Sequence, residues 1–155
     1  MSANGIGEAG VFAICEALKS NSALEMLSLA SNNLQDAGAV ALANYLQSDS
    51  SINTLNLNSC GISDTGAIAL AEMLKKNTSL VALELNNNNI DYEGTCAIAE
   101  ALSENATLTT LSISGNYIGG LGASALAKGL VKNNCLLYTS PSPRDQRGSR
   151  MPSSA

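Results

Sequence analysis

The chain has 155 residues and a formal net charge of −5 at neutral pH, and it contains no histidine. The acidic balance argues against nucleic acid and membrane surfaces as partners. The missing imidazole removes the commonest general base and metal ligand. Because no two of the four cysteines have the spacing of a metal-binding pair, we expect neither a metal nor another cofactor.

The sequence repeats itself with a period of 28 residues and no gaps. Full units begin near Leu24, Ile52, Leu80 and Leu108, and a partial unit of residues 1–23 precedes them in the same phase. Self-similarity at a fixed period of this length is typical of solenoid proteins. We therefore assign residues 1–134 to one repeat domain.

Each unit begins with a pattern typical of a strand and continues with one typical of a helix. Leu27 and Leu29 alternate with other residues, which predicts a short strand with one buried face. Ala41, Leu42 and Leu46 then form a one-sided apolar stripe, which predicts an amphipathic helix. The predicted helix N-caps are Asp36, Ser63 or Asp64, and Asp91.

A small polar side chain recurs where each strand ends. The residues are Asn4, Asn32, Cys60, Asn88 and Asn116. A buried Asn amide has donors and an acceptor for backbone groups that leave the strand ladder, so we interpret these residues as a structural turn ladder. Cys60 is interpreted as a small buried replacement with a weak S–H donor. The glycine that recurs once per unit is interpreted as a tight turn between strand and helix.

The motif LxxLxLxx(N/C)xL, followed by a Gly-Ala-x-x-Leu-Ala-x-x-Leu helix, resembles the ribonuclease-inhibitor type of leucine-rich repeat over residues 2–134. Similar repeats occur in ribonuclease inhibitor, in Nod-like receptors and in Ran GTPase-activating proteins. Strands lie about 4.8 Å apart whereas a helix is about 10 Å wide, so stacked units must curve. We expect an α/β leucine-rich-repeat solenoid, a right-handed arc with a parallel sheet on its concave face and helices on its convex face.

The outward-facing strand positions would line the concave face and form the candidate binding surface. The candidate residues are Thr54, Asn56, Asn58, Glu84, Asn86, Ser112 and Ser114. This surface is polar and lacks the Trp and Arg anchors that are frequent in interface hot spots. Tyr92 and Tyr117, predicted in the turns after the strands, are the nearest aromatic side chains. The alternative is that these repeats are spacers and that contacts lie elsewhere.

Residues 135–155 differ in composition from the rest of the chain, since they hold every proline and every arginine. The stretches CLLYTSPSPRD and SRMPSSA resemble a translated sequencing-library adapter and its primer, so we expect a non-native tail. The alternative is a disordered Pro/Ser/Arg tail with docking or phosphorylation sites. Met1 occupies the position of Leu29 in the repeat. We therefore expect a fragment of a longer protein whose open apolar ends make it marginally stable or self-associating.

The residues show no arrangement typical of catalysis, so we do not expect an enzyme. A Ser or Cys nucleophile would lack its usual histidine base, and Glu84 is the single carboxylate on the predicted concave face. The glycosylation triplets that begin at Asn77 and Asn105 occupy the same loop in their repeats, and we interpret them as chance matches.

We therefore expect a protein-interaction scaffold whose partner is another protein, with no small-molecule substrate. Unpaired thiols at positions of a buried type favour a reducing, intracellular and cytoplasmic location. The resemblance also implies two narrower alternatives, a GTPase-activating regulator of the Ran type and the ligand-sensing end of a Nod-like receptor. The repeat is common to all three, so these alternatives stay open.

Overall fold

A computed structural model describes residues 1–48 and 51–133 and, as backbone, residues 137–138. Helices alternate with strands along these residues. The helices are α1 (Glu8–Leu18), α2 (Gln35–Leu46), α3 (Asp64–Leu74), α4 (Tyr92–Glu104) and α5 (Gly119–Lys132). The strands are β1 (Met26–Ser28), β2 (Thr54–Asn56), β3 (Ala82–Glu84), β4 (Thr110–Ser112) and β5 (Leu137–Tyr138).

The strands form one parallel sheet in chain order, β1-β2-β3-β4-β5. Equivalent residues pair, so Leu27 lies beside Leu55 and Leu55 lies beside Leu83. Parallel neighbours need a crossover connection, and each crossover between β1 and β5 contains one helix. The parallel α/β solenoid that the sequence predicts is confirmed. Strand β5 falls within the predicted tail, whereas residues 134–136 and 139–155 lie outside the described part of the chain.

The core is a single layer between the sheet and the helices. In the second full unit, Leu55 and Leu57 from the strand side and Leu70 and Leu74 from α3 are all 0% exposed. Ile62, in the connection between them, is also fully buried. Because the inner units bury the same positions and Ile6, Ile14 and Leu130 of the outer units pack against them, the core continues from one unit to the next without a boundary.

The recurrent glycine lies inside the first turn of each helix, so its interpretation as a turn residue was wrong. Gly94 belongs to α4 and packs against α3. A Cβ atom at Gly94 would lie 2.6 Å from Asp64 Oδ1 and 2.9 Å from Ala67 Cβ. The glycine is therefore required because neighbouring helices approach closely at this point.

One position of the repeat, in the turn after the strand, adopts the left-handed conformation in every unit. The φ values are 54° at Ala3, 58° at Ser31, 56° at Ser59, 57° at Asn87 and 71° at Gly115. A Cβ atom is crowded by the following carbonyl in this region, which costs a residue other than glycine about 1 kcal/mol or more. At the four positions that are not glycine, the turn therefore holds the backbone in a conformation that the residue itself disfavours.

Replacing Ser59 with glycine should raise the free energy of unfolding by about 0.5 kcal/mol, because relief of the left-handed strain exceeds the added entropy of the unfolded chain. Gly115→Ala should lower it, since a Cβ there would overlap Asn87 Oδ1 in addition to the strain. Urea denaturation of both variants measures the difference. A less stable Ser59→Gly variant would contradict this account of the turn.

Candidate functional site

The buried amide of Asn88 joins two adjacent units below the sheet edge. Its Oδ1 accepts hydrogen bonds from the N–H groups of Cys60 (3.0 Å) and Ile62 (3.1 Å). Its Nδ2 donates to the carbonyls of Leu57 (2.9 Å) and Leu85 (3.1 Å). With 2% of its surface exposed, Asn88 thus satisfies backbone groups that water cannot reach.

The same arrangement recurs along the turn ladder. Asn32 accepts from the N–H of Ile6 at 2.9 Å, and Asn116 accepts from the N–H of Ile90 at 3.1 Å. Asn4 is exposed instead and donates from Nδ2 to the carbonyl of Ser2 in its own unit. The buried members of the turn ladder therefore run from Asn32 to Asn116.

Cys60 occupies a ladder position with a thiol in place of the amide. It is 0% exposed, and its Sγ donates to the carbonyl of Leu29 at 3.3 Å. Burial raises the pKa of the Cys60 thiol, and the nearby backbone N–H groups of Asn32 and Ser31 offset only part of that rise. The side chain is therefore a neutral, inaccessible thiol at neutral pH, and its role is structural.

The missing amide at Cys60 coincides with a different start of helix α2. The N–H of Leu34 bonds the carbonyl of Asn32 at 3.0 Å rather than a side chain from the next unit. Gln35 then takes a φ of 53°, whereas the equivalent Ser63 and Asp91 have φ near −106° and −109°. We attribute the strained Gln35 to the absence of an amide oxygen at position 60.

A second asparagine ladder, which sequence reasoning missed, lies where the helices end. Asn77 donates from Nδ2 to the carbonyl of Leu46 at 2.7 Å, and Asn105 donates to that of Leu74 at 2.7 Å. Asn133 continues the pattern with the carbonyl of Leu102 at 2.8 Å. Asn77 and Asn105 are buried, so the asparagine side chains of the glycosylation triplets that begin with them are inaccessible. The recurrence of Asn at this position was the signal available in the sequence.

Two aspartates cap the helix of the following unit rather than their own. Asp36 Oδ1 accepts from the N–H groups of Ser63 (2.8 Å) and Gly66 (2.9 Å), and Asp64 Oδ1 accepts from the N–H of Asp91 (2.8 Å). The predicted role of Asp36 as N-cap of α2 was wrong, because α2 begins at Gln35 with Leu34 as its cap. Asp91 does cap α4, through the N–H of Tyr92.

The sheet face carries the seven candidate binding residues as a half-buried polar surface. Glu84 lies at its centre, and Glu84 Oε2 accepts from the Nδ2 groups of Asn56 (2.8 Å) and Asn58 (2.7 Å). These three side chains are therefore held in one geometry. The carboxylate retains its other oxygen and further lone pairs for an incoming donor.

Two of the candidate residues also hold neighbouring units together. Asn58 Oδ1 accepts from the N–H of Asn86 at 2.7 Å, and Asn86 Oδ1 accepts from the N–H of Ser114 at 2.8 Å. Thr54 begins β2 and Ser112 ends β4, and both lie on the same face as Glu84. The structure thus brings all seven candidate residues onto one surface formed by β2, β3, β4 and the residues that follow them.

The two aromatic candidates lie apart from each other. Tyr117 is 53% exposed in the turn after β4. Tyr92 begins α4, where a hydrogen bond with Cys96 raises the pKa of its hydroxyl. Tyr92 therefore belongs to the helix side, and Tyr117 alone stays near the sheet edge.

Within residues 1–48 and 51–133, no group of three or more His, Cys, Asp or Glu side chains could hold a metal ion. In the same part of the chain, no helix has the length and apolar character needed to cross a bilayer.

Comparison with known proteins gives one sequence family and several similar folds. The family model described as Leucine Rich repeat matches residues 20–43, 48–71, 76–99 and 104–127. The structure is similar to leiomodin-1 actin-binding site 2, with a TM-score of 0.75 and 25% identity over 84% of this chain and 80% of that one. It is also similar to the tropomodulin C-terminal domain of Caenorhabditis elegans, with a TM-score of 0.71 and 16% identity over 87% and 82%. No curated protein matches the chain in sequence.

Replacing Cys60 with asparagine should raise the free energy of unfolding by about 1 kcal/mol, because an amide oxygen there can accept from the Leu34 N–H and release Gln35 from its strained conformation. Cys60→Ala is the control and should lower stability, since it removes the S–H donor and leaves a void. Urea denaturation measures both, and amide chemical shifts report on Leu34 and Gln35. If Cys60→Asn is no more stable than Cys60→Ala, the assigned cause is wrong.

Proposed function

The chain belongs to the leucine-rich-repeat family, and on that premise we propose that it is a protein-binding scaffold whose partner docks on the sheet face. The observation that carries this proposal is the fixed arrangement of Asn56, Asn58 and Glu84 on that face. Side chains that are already ordered lose little entropy when a partner binds them. Such a surface is suited to recognition by hydrogen bonds and shape.

The first partner that we propose is actin. The solved structure of leiomodin-1 is of its actin-binding site 2, and it shares the fold and 25% of the aligned residues with this chain. Neither similar structure supports the narrower Ran-type regulator or the Nod-like receptor. A role in binding also suits this face because, among the residues that the structure describes, Glu84 has no second carboxylate beside it for acid–base catalysis.

A reducing compartment such as the cytoplasm is the proposed location. Cys15, Cys60 and Cys96 are free, and the first two are buried. Oxidising compartments favour disulfides, whereas unpaired buried thiols are common in proteins of the cytosol. An actin partner would require the same location.

The partner hypothesis predicts that the purified chain binds fluorescently labelled actin monomers or sediments with actin filaments. Glu84→Lys should weaken the interaction about tenfold, because it replaces an acceptor at the centre of the face with a bulky cation. Fluorescence titration and co-sedimentation measure the two forms of binding.

Glu104→Lys is the matched control, since it makes the same charge change at an exposed residue at the end of α4. It should leave actin binding unchanged. Binding that Glu104→Lys weakens as much as Glu84→Lys would contradict the sheet face as the site. If the unmodified chain binds neither form of actin, actin is not the partner, and the scaffold proposal would need another protein.

A further inference from the structure

A row of apolar side chains crosses the helix side of the molecule, opposite the proposed actin-binding face. It consists of Phe12, Val40, Ile68 and Cys96, which occupy equivalent positions in α1, α2, α3 and α4. Phe12 is 50% exposed and Ile68 is 39% exposed, while Val40 and Cys96 are half-buried. We call these four residues the convex band. The outward face of a solenoid helix is normally polar, so a repeated apolar position there requires an explanation.

Small side chains follow the members of the convex band along each helix. The residue that follows each band member is alanine, as at Ala13, Ala69 and Ala97, and no long side chain stands there. At the α4 end, Cys96 borders a groove of about 260 Å³ between α4 and α5 that is lined by Ala99 and Ala125 and also by the charged Glu100, Lys128 and Lys132. The band is therefore a shallow apolar track rather than four isolated side chains.

Acidic residues flank this track on both sides. Residues four positions away on a helix lie on the same face, one turn before or after. Before the band the acidic residues are Glu8, Asp36 and Asp64, and after it they are Glu16, Glu72 and Glu100, while Tyr92 and Asn44 hold the two remaining places. Asp36 and Asp64 are half-buried, because they also cap the helix of the next unit.

The basic residues near the convex band do not cancel this charge. Helices α1 to α4 contain no Lys or Arg within their bounds. Lys19 and Lys75 follow α1 and α3, and they pair with acids of the second row at 2.6 Å and at 3.0 and 3.3 Å. Lys128 and Lys132 of α5 also line the groove beside Cys96. Six carboxylates against these four ammonium groups still leave the rim net acidic.

We propose that the convex band binds a basic amphipathic α-helix of a partner protein. Packed helices lie about 8–10 Å apart, so the apolar side chains of the band recur at that interval. A crossing helix rises about 10.5 Å in seven residues and can place one apolar side chain on each band position. Lys or Arg on both sides of its apolar stripe would face the two acidic rows.

Charge argues against the other occupants. A second copy of the chain would place its own acidic rows against these, and like charges in register are unfavourable. An anionic membrane surface would be repelled in the same way. The basic helix is the occupant that suits both the apolar track and its rim.

The test uses synthetic helical peptides of about 28 residues with leucine at every seventh position. One carries Lys on both sides of the leucine stripe, a second carries Glu there, and a third keeps the Lys content but has scrambled leucine spacing. We expect the chain to bind the first peptide at least about tenfold more tightly than the other two. Equal binding of the scrambled peptide would show general charge attraction and overturn the proposal, as would no binding of the first.

Ile68→Lys locates the site, because it places a cation in the middle of the convex band and should weaken binding of the first peptide about tenfold. Val81→Lys is the matched control, since Val81 is 42% exposed and precedes β3 away from the helices. It should leave binding unchanged. Equal weakening by both variants would overturn the proposal. Analytical ultracentrifugation of the chain alone tests whether it self-associates. A dimer that is abolished by Ile68→Lys and not by Val81→Lys would show that the convex band binds a second copy of the chain, which would overturn the proposal.

Discussion

The structure depends on asparagine amides that are buried between units. Short parallel strands leave backbone N–H and C=O groups unpaired where each chain segment turns toward its helix, and such groups are costly when buried. Asn88 pairs four of them across two units, and Asn77 and Asn105 do the same for carbonyls at the helix ends. The amides set the distance and register between units. Equivalent side chains on the sheet side and on the helix side are therefore held at a fixed spacing.

The period and the polar/apolar pattern were sufficient to predict the elements and their order, because each unit buries one face of its strand against one face of its helix. The sequence alone did not show which side chains make contacts between neighbouring units. Asp36 reads as a local helix cap, yet it caps the helix of the next unit, since stacking brings Ser63 and Gly66 to its carboxylate. Gln35 offers no sign of a left-handed φ, because its conformation follows from the thiol that replaces an amide at Cys60.

The two faces of the solenoid have different chemistry for the same reason. On the sheet side, amide side chains fix Glu84 and each other, which gives a polar and ordered surface. On the helix side, the first turns are tied by Asp36 and Asp64, and the outward positions are free to carry an apolar row with an acidic rim. The seven candidate residues on the sheet could be predicted from alternation alone, whereas the convex band becomes visible when the helices are stacked.

The most direct test of this account compares Asn88→Ala with Asn89→Ala by urea denaturation. The two residues are adjacent and chemically identical, but Asn88 is 2% exposed and Asn89 lies on the surface. Asn88→Ala should lower the free energy of unfolding by about 3 kcal/mol or more, because buried backbone groups of two units lose their partners. Asn89→Ala should change it by less than about 0.5 kcal/mol. Similar small losses in both variants would contradict the central role of the buried amides.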